Sequence, residues 1–136
     1  MTGFTGACLC EAVRYESSED ATITGHCHCI NCRKSGGKGH GSHMGILAYT
    51  LTLRGTLSFY GAPTDASSTV TRNFHPTCGC AINSINSAKE GMLFIRASSL
   101  EAPELFKPKV VVYTSRAPSW DKMDPNLLAF EKNAPS

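Results

Sequence analysis

The sequence has no long apolar run, so no segment of it is fit to cross a bilayer as a helix. It has no polybasic block either. Thirteen Lys and Arg against eleven Asp and Glu give a formal charge of +2, which argues against a nucleic-acid or membrane-surface protein. Internal repeats, low-complexity segments and sustained helical periodicity are all missing. The opening MTGFTGACLC lacks the charged start and apolar stretch of a secretory leader, which predicts an intracellular, cytoplasmic protein. Acidic residues are absent from Ala21 to Thr64, and between Asp20 and Glu90 the only one is Asp65. What the chain does have is 136 residues, 41% of them hydrophobic, and seven cysteines. That size and composition fit one folded domain over 1–136 and exclude general disorder. In a reducing compartment so many thiols point to metal binding or redox chemistry rather than to disulfides.

Turn residues recur at short intervals: Gly3, Gly6, Gly25, the run from Gly36 to Gly41, Gly55, Gly61-Ala62-Pro63 and Pro76 to Gly79. Between them, stretches rich in β-branched and aromatic residues read as strands. These are Ala12–Tyr15, Ala21–Thr24, His43–Tyr49, Leu51–Leu53, Thr56–Tyr60, Thr69–Phe74, Met92–Arg96 and Val110–Tyr113. Asn31–Ser35 and Ser99–Ala102 are each read as a single helical turn. The segment from about 117 to 136 reads as an irregular tail, pinned by Trp120, Leu127, Leu128 and Phe130. The expected fold is therefore mainly β, with short antiparallel strands around a small core that a metal cross-link would help to hold.

The cysteines fall into groups. Cys8-Leu9-Cys10 lies at one end and His75-Pro76-Thr77-Cys78-Gly79-Cys80 at the other. Two short clusters of soft ligands far apart in sequence suit a tetrahedral structural zinc, which would close a loop of about seventy residues. Cys8, Cys10 and Cys78 supply three ligands. The fourth is His75 or Cys80, and the spacing favours His75. The competing reading, ordinary buried thiols, explains the pairing less well.

The middle group, Cys27-His28-Cys29-Ile30-Asn31-Cys32, offers three thiolates. Three protein ligands with one open position is the arrangement of a reactive zinc. Zinc on three thiolates carries a formal charge of −1, so it is a poor source of hydroxide. It is better suited to holding an incoming thiol as thiolate, the nucleophilic form. Two alternatives stay open. One is a closed second zinc with His26, His28, His40 or His43 as fourth ligand, and the other is a redox pair at Cys29 and Cys32. The acid-free stretch around this group holds Arg33, Lys34, Lys38 and Arg54 and four of the five histidines. Arg33, directly after Cys32, is the stronger candidate for binding a substrate carboxylate, and Arg72 the weaker.

Taken together, Gly6-Ala7-Cys8-Leu9-Cys10, Cys27-His28-Cys29-Ile30-Asn31-Cys32-Arg33-Lys34 with Gly36, Phe74-His75-Pro76-Thr77-Cys78-Gly79, and Ser115-Arg116-Ala117-Pro118 with Trp120 resemble a known family. It is the glutathione-dependent formaldehyde-activating enzymes, which also include centromere protein V-like domains. The resemblance implies a zinc-stapled, β-tent-type fold. It also implies a structural zinc at Cys8, Cys10, Cys78 and position 75, and a reactive zinc at Cys27, Cys29 and Cys32. The activity it implies is that of a carbon–sulfur lyase joining glutathione to formaldehyde as S-hydroxymethylglutathione. Two positions depart from the family pattern: His75 stands where Cys is usual, and Glu11 where Gly is common. The partner expected from this is glutathione or a related anionic thiol, with no nucleic acid and no membrane. The sequence leaves open whether the chain forms a homodimer. The rival class is a zinc-stabilised binding module without catalysis.

Overall fold

A computed structural model describes residues 3–134 and places eleven strands in two sheets. The strands are β1 (Phe4–Ala7), β2 (Arg14–Ser17), β3 (Ile23–Cys27), β4 (Gly41–Leu47), β5 (Leu51–Arg54) and β6 (Ser58–Pro63). They continue with β7 (Thr69–Phe74), β8 (Ala81–Asn86), β9 (Met92–Arg96), β10 (Val110–Val112) and β11 (Leu128–Ala129). One six-residue helix, α1 (Ile30–Ser35), follows β3. The small sheet has the order β1-β2-β5, and the large sheet β11-β10-β3-β4-β9-β8-β7-β6.

The core lies between the sheets. Phe4 and Tyr15 from the small sheet, with Val13 from the turn before β2, meet Met44, Ile46, Leu93, Ile95 and Leu100. Ile46, Ile82, Ile95 and Val13 are fully buried, each contributing about 1.5–3 kcal/mol of apolar transfer. Ile82 stands unpaired where the β7–β8 register shifts at Asn73/Phe74.

Side chains alternate along a strand, so each strand sends one set to the core and the other set to the outer face. On β4, Met44 and Ile46 face the core while His43 takes the other side. Register then places His43 opposite both Arg96 and Gly25, and Cys27 opposite Gly41. Cys27, His43 and Arg96 thus share the outer face of the large sheet. The same alternation sends His26 and His28 to the side opposite Cys27 and Cys29.

The mainly β fold of short, largely antiparallel strands is the one expected, with β10, parallel to both β3 and β11, as the exception. Finer expectations need correction. Ala12 and Val13 belong to the turn before β2. The turn expected at Ser99–Ala102 is replaced by 3-10 turns at Ala97–Ser99 and Pro103–Leu105 on either side. The tail is not wholly irregular, since it supplies β11. It is held by backbone hydrogen bonds, including Phe130 N–H to Val111 O at 2.9 Å and Leu128 N–H to Lys109 O at 3.1 Å. Trp120 and Leu128 do not pin it: they are 64% and 60% exposed.

Candidate metal centres

The first centre joins two turns. Between β1 and β2 the chain reverses through Cys8-Leu9-Cys10-Glu11. The Glu11 N–H donates to Cys8 O at 3.0 Å, and Glu11 sits at φ +68°. That left-handed conformation suits glycine and is strained for glutamate. Between β7 and β8 the Gly79 N–H donates to His75 O at 2.8 Å, with Gly79 at φ +74°. These turns bring Cys8, Cys10, His75 and Cys78 together, with all four ligand atoms within 4.8 Å of one another.

The spacing fits zinc. Bonds of about 2.3 Å to sulfur and 2.0–2.1 Å to nitrogen imply, in a tetrahedron, about 3.8 Å between sulfurs and about 3.5 Å from sulfur to nitrogen. Cys8 Sγ and Cys10 Sγ are 3.6 Å apart, and Cys10 Sγ lies 3.4 Å from His75 Nδ1. Cys80 is outside the group and directs its thiol to Ala81 O. Backbone amides of Cys80 and Cys10, then His75 and Cys8, pull the Cys78 thiol down to about 6 against the opposing effect of burial. A thiol that ionises near neutrality is ready for a metal.

The second centre is built by the end of β3 and the start of α1. Cys27 ends the strand, Cys29 is the helix N-cap, and Cys32 lies in the first helical turn. The Cys29 sulfur accepts the Cys32 N–H at 3.2 Å, which serves one of the helix's otherwise unpaired amides. The three sulfurs lie within 4.8 Å of one another. Hydrogen bonds from Cys27 and Cys32 draw the Cys29 thiol well below its usual range, helped by the Cys32 amide and the Arg72 charge. The same contacts and burial push Cys27 up, so one negative charge settles readily on the trio and a second does not.

No histidine completes this trio within the same span, among the described residues. His43 comes near, its Nε2 3.5 Å from Cys32 Sγ, and a Cβ at Gly41 would stand 2.8 Å from that nitrogen. His26 bonds Ser42 Oγ at 2.8 Å, and His28 and His40 both turn to Asp121.

The charges around the trio were only partly visible in sequence. Arg72 Nη2 lies 3.7 Å from Cys32 Sγ. Arg33 stands exposed on α1 with no side-chain hydrogen bond or ion pair among the described residues. Sequence reading missed Arg96, which is buried and donates to Ser35 O and Oγ at 3.3 Å. It also missed Tyr113 and Asp65. The Tyr113 hydroxyl donates to Asp65 at 2.6 Å, and Asp65 meets Arg116 at 3.6 Å. Burial, then Asp65, pushes the Tyr113 hydroxyl up to about 12, with the Cys27 and Cys29 thiols adding to the shift. The isolation of Asp65 in an otherwise acid-free stretch was the available signal. No helix among the described residues is long and apolar enough to cross a membrane.

Comparison with known proteins gives a family match and a likeness of fold. The family model described as glutathione-dependent formaldehyde-activating enzyme matches residues 3–116. A crystal structure of a Rhodobacter sphaeroides protein, solved as a structural genomics target, superposes with a TM-score of 0.57 at 20% identity. The match covers 76% of this chain and 96% of that one, and it shows likeness of fold alone. No curated protein matches the chain.

Proposed function

From the premise that this chain belongs to the glutathione-dependent formaldehyde-activating enzyme family, we propose that it is a zinc-dependent carbon–sulfur lyase. Its substrate is glutathione or a glutathione adduct, and its setting is the cytoplasm. Cys8, Cys10, His75 and Cys78 hold a structural zinc, and Cys27, Cys29 and Cys32 a reactive one. Bound there, zinc would supply Lewis acidity that favours the thiolate form of the substrate sulfur. In the forward direction a carbon–sulfur bond forms between glutathione and formaldehyde. The carbonyl π bond breaks, and the proton lost from sulfur ends on the new hydroxyl oxygen.

The residues of the chain prepare that exchange. Arg72 and Arg96 set positive charge beside sulfur that carries excess negative charge, and Arg72 and Arg33 are the groups offered to substrate carboxylates. Tyr113, its hydroxyl pushed further up to about 12 by burial and Asp65, keeps its proton in the same region. The observation that carries this reading is a group of three sulfurs with no fourth protein ligand in the same span among the described residues. A closed, purely structural second zinc would need one of four histidines: His26, His28 and His40 face other partners, and His43, 3.5 Å from Cys32 Sγ, does not fall within the common span of the three sulfurs.

The decisive experiment compares the wild type with Cys29→Ser for bound metal and for adduct formation from glutathione and formaldehyde, followed by NMR. Loss of one metal equivalent and of turnover, with the fold retained, supports the assignment. A fully active Cys29→Ser variant with two metals would refute it. Millimolar glutathione should also raise the melting temperature of the wild type, as a ligand specific to the folded state does.

A further inference from the structure

A third cluster lies on the opposite side of the β3–α1 connection from the thiols and contains no sulfur. His28 follows β3, His40 precedes β4, and Asp121 comes from the tail; their ligand atoms lie within 4.8 Å of one another. His28 and Asp121 are buried, with 0% of either side chain exposed, and His40 retains 14%. Asp121 Oδ2 lies 2.6 Å from His40 Nδ1 and 3.5 Å from His28 Nδ1. Its seat is prepared by Gly39, where a Cβ would stand 2.6 Å from the same oxygen.

Two buried atoms of this cluster have no hydrogen-bond partner among the described residues: His28 Nε2 and Asp121 Oδ1. Lys38 Nζ comes only to 3.9 Å from that oxygen. His28 Nδ1 is 2.9 Å from the carbonyl oxygen of Gly39, which can only accept, so the ring proton belongs on Nδ1 and Nε2 carries a lone pair. Both orphans are thus acceptors, and burying an unpaired acceptor is costly. The arrangement in which an imidazole proton is fixed by a backbone carbonyl while the other nitrogen is left bare is the one that metal-ligating histidines adopt. His28 and Asp121 also line a cavity of about 390 Å³ beneath the tail, whose wall includes Asp124.

We propose that His28, His40 and Asp121 form a third metal site for a divalent transition ion, built from two imidazoles and a carboxylate. Imidazole ligands speak against Ca²⁺ and Mg²⁺, and the absence of sulfur speaks against Cu(I). Zn²⁺, Co²⁺, Ni²⁺ and Fe²⁺ are the class that fits. The bound ion would tie the tail to the β3–β4 region, independently of the chemistry at the thiols.

The test is a cobalt titration of the untagged, metal-free full-length chain under anaerobic conditions. Cobalt on thiolates gives sulfur-to-metal charge-transfer absorption, and cobalt on nitrogen and oxygen does not. The expected result is one bound equivalent beyond those that saturate the charge-transfer bands, whichever thiol clusters fill. Asp121→Asn and His40→Gln should each weaken that equivalent at least tenfold and leave the charge-transfer bands intact. Near-UV circular dichroism checks folding. Should Asp121→Asn fail to fold, His40→Gln, altering the least buried ligand, decides alone. Saturation of the wild type with no equivalent beyond the charge-transfer bands overturns the proposal. So does an extra equivalent that the folded variants keep at full affinity. Failure of the lyase reading would show in the glutathione assays and leave this result untouched.

Discussion

The two thiol centres should differ sharply in what they contribute to stability, because they close loops of very different size. The first joins Cys10 to His75, 65 positions apart. The second joins Cys27 to Cys32 within one strand end and one helical turn. Loop-closure entropy grows as (3/2)RT ln n, so a loop of about 65 residues against one of about 5 favours the first centre by about 2 kcal/mol at 25 °C. By the cross-link relation used for disulfides, the first centre restricts the unfolded chain by about 4 kcal/mol in total. Cys78 and Cys29 are both half-buried, so direct truncation costs at the two positions are comparable. Cys78→Ser should therefore destabilise the zinc-loaded protein by about 2 kcal/mol more than Cys29→Ser, equivalent to a further fall of about 7 °C in Tm for a chain of this length. Urea unfolding of both variants at saturating zinc measures it, with metal content confirming that each has lost one equivalent. Equal losses, or a larger loss for Cys29→Ser, would refute the claim that the first centre acts as a long-range staple.

Three further outcomes are expected. Glu11→Gly relieves a left-handed glutamate at the cost of an exposed ion pair with Arg14 and of added backbone freedom when unfolded, so it should stabilise by up to about 1 kcal/mol; a loss in urea unfolding would count against strain at that turn. Gly25→Ala should destabilise by about 1–3 kcal/mol, since its Cβ would stand 2.6 Å from Val110 Cγ2 and 2.7 Å from Val110 O across the parallel β3–β10 pair; an unchanged melting temperature would show that β10 moves aside freely. Burial first, then the His40 and His28 charges, lowers His26 to about 4 from its ordinary 6.5. The unfolded chain therefore takes up this proton before the folded one does. The His26 contribution to the stability of the metal-free protein is full above about pH 6.5 and is lost as pH drops towards 4; His43, lowered to about 3 chiefly by burial, adds to the same acid limb, so His26→Gln should make that limb shallower, and an unaltered slope would remove His26 from the account.

Much of the fold could be read from alternation and turn chemistry, and the misses have physical causes. Thr69–Phe74 and Met92–Arg96 were delimited as they occur, because β-branched and aromatic residues fill them between turn signals. β8 was missed because Asn83 and Ser84 read as polar loop residues. Both are buried, and Asn83 is satisfied by a 2.6 Å bond from the Asn73 side-chain amide. β1 was hidden by Gly6, which carries no side chain because Tyr15 Oη would stand 2.0 Å from a Cβ there. The thiol clusters were legible because their ligands come from two turns and one strand–helix junction, each local in sequence. Arg96, Tyr113 and Asp65 were not. Only the pairing of strands distant in sequence brings them to the trio, and no local pattern encodes that pairing. Asp121 was passed over for the same reason, since nothing near it in the tail announces His28 and His40.

β10 has parallel neighbours on both sides, and the positions it joins to β3, Val110 and Gly25, are 85 apart in the chain. On the ribosome, the segment bearing every cysteine therefore emerges well before the strand that covers the flank of β3. Through that interval β3 is a naked, adhesive margin able to recruit a foreign strand. Interrupting translation after residue 109 leaves it so permanently. Insoluble product from such fragments, and soluble product once residues 110–129 are restored, is the practical consequence for anyone expressing this polypeptide.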